Sequence, residues 1–357
     1  MPDNYRVAFI GTGGISRTHA RYYVASRETE IVAACDIDPE KLRGFQKEFE
    51  VPAGYDDYRE LLAGEKPDIV SICTWHGTHS EISVAAAEAG VKGILVEKPM
   101  GRDLGEAQAM VQTAERLGAK LAVHHQRRFD PTIVAVRQAI SDGAIGAPVS
   151  MVFSTSGGLL NNGCHGIDLF VYLTGQAAWT SVFGQVERTT NRYERGVAAE
   201  DKALGVIRFA GGHELVLQVD MLEGEVAGTA ERLLGPEGII QYDRHGAAVL
   251  SPRARDWQRL EEQRPQPTPV EELIAWMEGG PEHRNSGRAS LVAEEIMMAI
   301  YESARRRELV KAPFTRTTSP LLEMVADGTL AVAEPAYDIR SEAALKYELR
   351  RQAAAAD

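Results

Sequence analysis

The segment that most constrains the fold lies near the N-terminus, where a short apolar run ends in a glycine-rich turn. Residues 7–10 read as a buried strand, Gly11-Thr12-Gly13-Gly14-Ile15-Ser16 follows, and a helical stretch comes next. Glycine permits a tight turn and leaves room for a ligand. The start of the helix offers free N–H groups and the positive end of its dipole to a phosphate. This order of elements predicts a dinucleotide-binding turn.

The next strand indicates which dinucleotide is bound. A second apolar run, residues 31–35, ends at Asp36, 25 residues after Gly11. A carboxylate there would accept hydrogen bonds from the ribose hydroxyls of NAD and repel the 2′-phosphate of NADP. The sequence therefore favours NAD over NADP, although Arg43 offers a phosphate partner nearby. Ser16 replaces the third glycine of the fingerprint, and it is small enough for close packing of helix on strand.

Composition narrows the class of protein. A chain of 357 residues is long enough for about two domains. Its net charge of −12 argues against sequence-independent binding of nucleic acid, which needs clusters of cations. Its three cysteines, Cys35, Cys73 and Cys164, form no metal-binding pattern, so no metal site is predicted. No signal peptide or membrane-length apolar run is evident. We expect a cytoplasmic protein that binds neither nucleic acid nor membrane.

Strand-like and helix-like segments alternate up to about residue 146, which is typical of parallel strands joined by helical crossovers. The predicted strands are residues 7–10, 31–35, 68–74, 93–96 and 120–124, and the predicted helices are 40–49, 57–62, 78–89, 104–117 and 131–141. Ligands bind beyond the carboxyl ends of such strands. The groups at those ends are the glycine turn, Asp36, Thr74-Trp75-His76, Glu97-Lys98-Pro99 and residues 124–128.

From residue 149 the pattern changes to successive strands with short connections, which predicts an antiparallel or mixed sheet. The predicted strands are residues 149–156, 181–189, 202–209, 214–221, 228–234 and 239–242. A helix is predicted at residues 164–173, where His165, Asp168 and Tyr172 share one face because they are spaced i, i+3 and i+7. Further helices are predicted at residues 271–277, 289–305 and 341–355.

Glu97 and Lys98 directly follow an apolar strand, where a charged pair is costly to bury without partners or a task. A lysine beside a nicotinamide can hydrogen-bond a substrate hydroxyl and help to remove its proton, since partial desolvation favours its neutral form. The alternative is a solvated ion pair. For Trp75 the alternatives are stacking on the cofactor or packing in the core. His124 and His125 either reach substrate or only pack locally.

Together, five segments resemble the Gfo/Idh/MocA family of NAD(P)-dependent oxidoreductases, over residues 5–311. They are the glycine turn, Thr74-Trp75-His76-Gly77-Thr78-His79 (often TPNxxH in the family), Glu97-Lys98-Pro99, Arg127-Arg128-Phe129-Asp130-Pro131 and Gly163-Cys164-His165-Gly166-Ile167-Asp168. The resemblance implies an α/β protein with an N-terminal Rossmann-type parallel sheet in residues 1–125. It also implies an α+β domain with an open, mainly antiparallel sheet in residues 126–312, some of whose helices pack back on the first domain. Residues 313–357 form an extension.

The same resemblance implies roles for individual residues. Lys98 is implied to be the catalytic lysine, with a cis bond to Pro99. Asp168 is implied to orient or activate substrate, and Tyr172 stands where relatives carry a proton-transfer group. A tyrosine acts as a base when a cation such as Lys98 favours its ionised form, so Tyr172 ranks first and His165 second as proton acceptor.

Two sets of binding residues follow. The cofactor set comprises Gly11, Thr12, Gly13, Gly14, Ile15, Asp36, Thr74, Trp75, His76, His79, Glu97, Lys98, Gln126 and Arg127, with a structural role favoured for His79. The substrate set comprises Lys98, His125, Arg128, Asn161, Asn162, His165, Asp168 and Tyr172.

These residues predict an NAD-dependent dehydrogenase that oxidises a secondary hydroxyl of a sugar, a sugar derivative or a cyclitol. Two alternatives stay open: a redox-neutral glycoside- or sugar-converting enzyme with tightly bound NAD, and a non-catalytic sugar-sensing regulator. The open sheet implies a homodimer or homotetramer.

Overall fold

The computed structural model describes residues 4–221, 231–243, 245–252, 256–262, 264–333 and 335–339. The chain forms two compact units. The first unit is made of residues 1–134 and 263–294, and the second of residues 135–262 and 295–357. Among the described residues, no helix has the length and apolar character that a membrane span requires.

The first unit is built on a six-stranded sheet of order β3-β2-β1-β4-β5-β6. Its strands are β1 (Tyr5–Ile10), β2 (Thr29–Cys35), β3 (Ala53–Tyr55), β4 (Ile69–Ile72), β5 (Gly93–Val96) and β6 (Lys120–Val123). Every pairing is parallel, which confirms the predicted parallel sheet. The strand order reverses between β1 and β4, and such a switch point is where α/β sheets bind ligands.

Ten α-helices lie in the described residues. They are α1 (Ser16–Ala25), α2 (Pro39–Phe49), α3 (Tyr58–Glu65), α4 (His76–Glu88), α5 (Leu104–Leu117), α6 (Pro131–Ser141), α7 (Cys164–Leu173), α8 (Pro269–Met277), α9 (Gly287–Arg306) and α10 (Pro320–Ala326). The start of α2 is set by local residues. The Asp38 carboxylate accepts hydrogen bonds from the N–H groups of Glu40 and Lys41, and Pro39 is the first residue of the helix. Within the first unit α8 packs against β5 and β6.

The first unit has an apolar core on both faces of its sheet, because strands of a doubly covered parallel sheet bury side chains on both sides. Ala8 and Ile10 of β1 belong to the cluster on one face. Val7 and Phe9 belong to the cluster on the other face, which includes residues of α8 such as Leu273. The carboxyl ends of these rigid strands carry the candidate cofactor residues.

The second unit contains a nine-stranded sheet of order β16-β15-β14-β13-β7-β12-β11-β8-β17 and a small sheet of order β10-β9-β18. The strands are β7 (Ser150–Thr155), β8 (Trp179–Glu187), β9 (Arg192–Glu194), β10 (Val197–Ala198), β11 (Lys202–Phe209), β12 (Glu214–Val219), β13 (Glu231–Gly235), β14 (Gly238–Asp243), β15 (Gly246–Leu250), β16 (Gln258–Arg259), β17 (Val310–Lys311) and β18 (Tyr337–Asp338). In the large sheet β7 and β12 pair in parallel and the other pairs are antiparallel, so the predicted mixed sheet is confirmed.

One face of the large sheet is covered by helices at very short range. A Cβ atom at Gly166 of α7 would overlap the ring of Phe153, and one at Gly184 of β8 would lie 2.5 Å from the carbonyl oxygen of Ile300 in α9. These glycines therefore allow the close approach of helix to sheet. On the opposite face Phe183 and Val152 are 41% and 53% exposed, so this face is open.

Two predicted elements reach beyond the described residues. The strand predicted at residues 228–234 is seen from Glu231, where β13 begins, and the helix predicted at residues 341–355 lies outside the described residues.

Candidate functional site

The glycine turn follows β1 and shapes an open approach to the start of α1. Gly11 has a φ of +88°, and a Cβ atom there would lie 2.7 Å from the Cys73 carbonyl carbon, so glycine is required. At Gly13 and Gly14 an added Cβ would meet nothing within 4 Å. The Ser16 hydroxyl donates to the Gly13 carbonyl at 2.6 Å, which explains how serine serves at the third position. The cradle fits the pyrophosphate of a dinucleotide.

Asp36 lies at the carboxyl end of β2, next to the glycine turn. One carboxylate oxygen accepts from the Thr12 N–H at 2.7 Å and from its hydroxyl at 2.8 Å. The other oxygen accepts from the Asp38 N–H at 2.9 Å. Thr12 thus fixes the orientation of Asp36, a contact that the spacing of the motif does not reveal. The carboxylate keeps lone pairs with which it can accept from ribose hydroxyls.

The segment after β4 carries an exposed indole and two buried imidazoles. Trp75 is 60% exposed, so it is not a core residue, and stacking on the cofactor stays a prediction. His76 and His79 are buried. Ring nitrogens of His79 lie 2.8 Å from the Pro99 carbonyl oxygen and 3.1 Å from that of Thr74. His79 therefore ties α4 to the segment after β5, which is the structural role favoured for it.

Lys98 lies in the segment 97–101 after β5, which we call the lysine loop. Its side chain is half-buried and its bond to Pro99 is cis, as the resemblance implied. On the side of Pro99 the lysine loop is fixed by His79, whose ring nitrogen lies 2.8 Å from the Pro99 carbonyl oxygen.

On its other side, the lysine loop begins with a buried charged group. Glu97 is 6% exposed, and one of its oxygens lies 2.9 Å from Nε2 of His19 and 2.6 Å from Nδ1 of His124. The Ser71 hydroxyl lies 2.8 Å from the other nitrogen of His19. Glu97 is therefore not part of a solvated ion pair, which was the alternative for this motif.

The protonation states in this cluster follow from burial and hydrogen bonding. Burial alone would raise the pKa of Glu97, but hydrogen bonds from His124 and His19 outweigh it and hold that pKa well below its usual range. Burial, with His124 adding to the effect, lowers the pKa of His19 to about 4. Near neutral pH a neutral His19 therefore faces an ionised Glu97. The cluster joins residues on α1 and β4 to residues at the ends of β5 and β6, and no local sequence pattern reveals it.

The same three side chains have the chemistry of metal ligands, and their candidate atoms all lie within 4.8 Å of one another. Their mutual distances are 2.6, 2.9 and 2.9 Å. Each of these distances is an ordinary hydrogen-bond length, and hydrogen bonds account for the whole cluster.

A 3₁₀ turn, Gln126–Phe129, follows β6 and places two predicted substrate residues inside the first unit. Arg128 is fully buried and donates to the Arg284 carbonyl at 2.7 Å, while Arg284 donates to the Arg128 carbonyl at 2.9 Å. His125 is also buried, and its carbonyl accepts from Asn285. Both residues have structural contacts, and their substrate roles stay predictions, as do the cofactor roles of Gln126 and Arg127.

In the second unit a short π-helical turn, Leu159–Gly163, leads directly into α7. It belongs to residues 156–163, which we call the asparagine loop. The side-chain amide of Asn161 donates to the Gly157 carbonyl at 3.2 Å, and that of Asn162 donates to the Ser156 carbonyl at 2.7 Å. These bonds fix the orientation of both amide groups, and their substrate roles stay predictions.

The predicted helix at residues 164–173 is confirmed as α7. His165 is half-buried, whereas Asp168 and Tyr172 are buried. The Arg137 guanidinium lies 4.4 Å above the centre of the Tyr172 ring. The cation that the sequence analysis named for Tyr172 was Lys98, and Arg137 was missed because α6 shows no signal of such a contact.

The structure divides the predicted site residues between the two units. The glycine turn, Asp36 and the lysine loop share one sheet edge in the first unit, while Asn161, Asn162, His165, Asp168 and Tyr172 belong to one continuous loop and helix in the second.

Comparisons with known proteins match most of the chain. Residues 5–125 match the profile of an oxidoreductase family with an NAD-binding Rossmann fold, and residues 154–312 match the C-terminal α/β domain of the same family. D-apiose dehydrogenase of Paraburkholderia graminis is 30% identical over 91% of this chain and 94% of its own length. Myo-inositol 2-dehydrogenase of Thermotoga maritima is 28% identical over 70% of this chain and 79% of its own length.

The fold also matches solved structures. Levoglucosan dehydrogenase in complex with NADH has a TM-score of 0.76 at 21% identity, over 87% of this chain and all of the other. The two profile matches, the parallel sheet and the glycine turn lead to one conclusion. The chain is an oxidoreductase with NAD as its cofactor and belongs to the Gfo/Idh/MocA family.

Proposed function

We propose that the protein oxidises a secondary hydroxyl group of a sugar, a sugar derivative or a cyclitol. The observation that carries this proposal is the lysine loop: a half-buried lysine at the carboxyl edge of the NAD-binding sheet, held on both sides by buried hydrogen bonds. The names of the relatives support a polyol substrate, since those proteins act on apiose and inositol.

Oxidation of an alcohol removes a proton from oxygen and a hydride from carbon. When bound, NAD supplies the acceptor for the hydride. Tyr172, which must be ionised for this step, takes the hydroxyl proton, and His165 is the second candidate acceptor. Asp168 orients the hydroxyl group. Such a base contributes typically 10²–10⁴-fold to the rate.

Recognition of a polyol requires several further hydrogen bonds. Asn161 and Asn162 supply amide groups that cannot ionise, and His125 and Arg128 complete the proposed substrate set. For the cofactor, the glycine turn binds the pyrophosphate and Asp36 binds the ribose, which favours NAD over NADP.

The test is a panel of sugars, inositols and glycosides incubated with NAD and, separately, with NADP, with reduced nicotinamide followed by absorbance. For a substrate found in this way, Lys98→Ala should lower kcat at least 100-fold while the Kd for NAD stays within twofold. Undiminished turnover by Lys98→Ala would contradict the role of Lys98.

Two companion variants, Tyr172→Phe and His165→Asn, identify the proton acceptor by which one loses more kcat. Conversion of a glycoside without net NADH, by protein that co-purifies with NAD, would favour the redox-neutral alternative. Sugar binding without any turnover would favour a sensor.

We also propose that a second copy of the chain covers the open face of the large sheet. Phe183, Val206, Val216 and Val152 are in register across β8, β11, β12 and β7, so they form one apolar row. Exposed apolar rows of this kind mark interfaces. Sedimentation should show a dimer or tetramer that Phe183→Asp dissociates, and a monomeric wild type would contradict this proposal.

A further inference from the structure

Two carboxylates from other parts of the second unit accept hydrogen bonds from the backbone of the asparagine loop. The N–H groups of Gly157 and Gly158 donate to the two oxygens of Asp220, at 2.7 and 2.9 Å. The N–H of Leu159 donates to Glu200 at 2.6 Å. Glu200 is 1% exposed, and its other oxygen accepts from the Tyr301 hydroxyl at 2.7 Å. Three successive backbone groups of this loop are thus fixed by side chains.

The hairpin of β9 and β10 fixes the Asp220 carboxylate through Arg192. Arg192, at the start of β9, is buried and donates to Asp220 at 3.1 Å and to the carbonyl of Asp201 at 3.1 Å. Gly158 has a φ of +87°, and a Cβ atom there would approach Glu194, Glu200 and Arg192 to between 3.8 and 4.0 Å. The loop backbone therefore lies directly against this group of charged side chains.

The C-terminal extension pairs with the same hairpin. β18 runs parallel to β9, with the Tyr337 N–H donating to Asn191 at 3.1 Å and the Ile339 N–H donating to Tyr193 at 2.9 Å. The Asp338 carboxylate accepts from the Gly196 N–H at 2.7 Å, in the turn between β9 and β10.

Two more contacts join the extension to this part of the second unit. The Tyr337 hydroxyl lies 3.0 Å from that of Thr190. The buried Arg188 donates to the Leu330 carbonyl at 2.7 Å. The contacts therefore form a continuous path from β18 through β9, Arg192 and Asp220 to the asparagine loop.

We propose that β18 and the Arg192–Asp220 pair are positioning elements for the asparagine loop, so that the C-terminal extension contributes to the affinity for the polyol substrate. The inference rests on the proposed function for the role of Asn161 and Asn162, but the path of contacts is independent of it. The physical reason is preorganisation: a loop that already has its binding geometry loses less conformational entropy when the substrate binds.

The test uses the full-length protein with Asp220→Asn and, separately, with Tyr337→Ala combined with Asp338→Ala. In Asp220→Asn the side chain keeps one oxygen, but its NH2 group takes the place of the other and faces a backbone N–H. One of the two hydrogen bonds from Gly157 and Gly158 is therefore lost. Asp142→Asn is the matched control, since this aspartate is exposed and its carboxylate accepts from Gln138 in α6. Hydrogen–deuterium exchange of residues 157–159 is measured without substrate.

We expect the amides of residues 157–159 to exchange at least tenfold faster in Asp220→Asn and several-fold faster in the double variant, with residues 97–101 unchanged. The KM for the polyol should rise about tenfold and several-fold respectively, while the KM for NAD stays within twofold. Unchanged exchange of residues 157–159 in either variant would overturn the proposal, as would faster exchange with an unaltered KM for the polyol.

The two proposals fail in distinguishable ways. If the wild-type protein oxidises no polyol, the proposed function fails, and the exchange of residues 157–159 still decides whether β18 supports the loop. If Asp220→Asn does not fold, the double variant, which leaves the backbone pairing of β9 and β18 in place, gives the same measurement.

Discussion

Glu97 in the first unit and Glu200 in the second are both buried carboxylates that hold a loop, yet their pKa values move in opposite directions. Glu97 receives two hydrogen bonds from imidazoles on one oxygen and one from the Lys98 N–H at 3.2 Å on the other. Burial raises the pKa of Glu97, but the hydrogen bonds from His124 and His19 outweigh it, and the pKa falls well below its usual range. Glu200 receives one backbone N–H and one phenol O–H, burial dominates, and its pKa is raised.

The difference shows that burial alone does not decide whether a carboxylate keeps its charge. The number and type of donors decide it, because each donor favours the ionised form. In the first unit the charge is retained one residue from Lys98, so the network behind the lysine loop depends on an anion. In the second unit the contact between Glu200 and the Leu159 N–H depends on the shape of the acceptor more than on its charge.

The largest effect should follow from removing the charge of Glu97. The glutamine oxygen of Glu97→Gln can still accept from both imidazoles, but its amide N–H then faces the Lys98 N–H, and the buried anion that both imidazoles contact is lost. We expect the free energy of unfolding to fall by on the order of 3 kcal/mol. We also expect kcat to fall 10–100-fold, because the lysine loop loses its fixed geometry. Urea unfolding and steady-state kinetics measure the two effects.

Glu115→Gln is the matched control, since Glu115 pairs with Arg288 on the surface. An exposed ion pair of this kind contributes at most about 1 kcal/mol. If Glu97→Gln were as mild as Glu115→Gln, the network around Glu97 would not be what holds the lysine loop.

Local signals explain how much of the fold could be predicted. The bounds of β5, α5 and α7 follow from apolar runs and from the residues that begin and end each element, and these are read within a few positions. The three-residue strand β3 was missed because it is too short to show a period. The pairing of β18 with β9 was missed because it joins distant segments and depends on backbone groups that every sequence has.

The residues of the candidate site also fall into those that local sequence patterns predict and those that they do not. Lys98 and the group of His165, Asp168 and Tyr172 could be singled out because strand ends and helical spacing are local patterns. His19, Glu97 and His124 lie on three elements far apart in the chain, so only the folded sheet brings their atoms within hydrogen-bonding distance. Asp220 was missed for the same reason.

The next effect concerns pH, and it sharpens the comparison because burial holds two histidines of the first unit in the neutral form. Burial lowers the pKa of both His19 and His283 to about 4. The unfolded chain takes up a proton near pH 6.5 and the folded chain only near pH 4, so stability is lost as pH falls through this window. For each histidine, the free energy of unfolding should fall by about 3 kcal/mol as the pH falls from 6.5 to 4.

His283 is the better residue for testing this dependence. It accepts from the Asn285 N–H at 3.0 Å and lies 3.0 Å from the Pro269 carbonyl oxygen, so its neutral form satisfies both contacts. His283→Asn should show a shallower decline of the free energy of unfolding between pH 6.5 and 4. His245→Asn, which changes an exposed histidine, should leave the decline unaltered, and equal slopes in both variants would disprove the assignment.

The smallest effect should come from Glu200→Gln. The glutamine oxygen can accept from the Leu159 N–H and its amide N–H can donate to the Tyr301 oxygen, so both hydrogen bonds of Glu200 have a counterpart. We expect the free energy of unfolding to fall by less than about 1.5 kcal/mol, clearly less than for Glu97→Gln under the same conditions. A loss as large as that of Glu97→Gln would show that Glu200 needs its charge, with Arg192 as the cation that favours it. The contact of Glu200 with the asparagine loop would then depend on an anion, just as the contact of Glu97 with the lysine loop does.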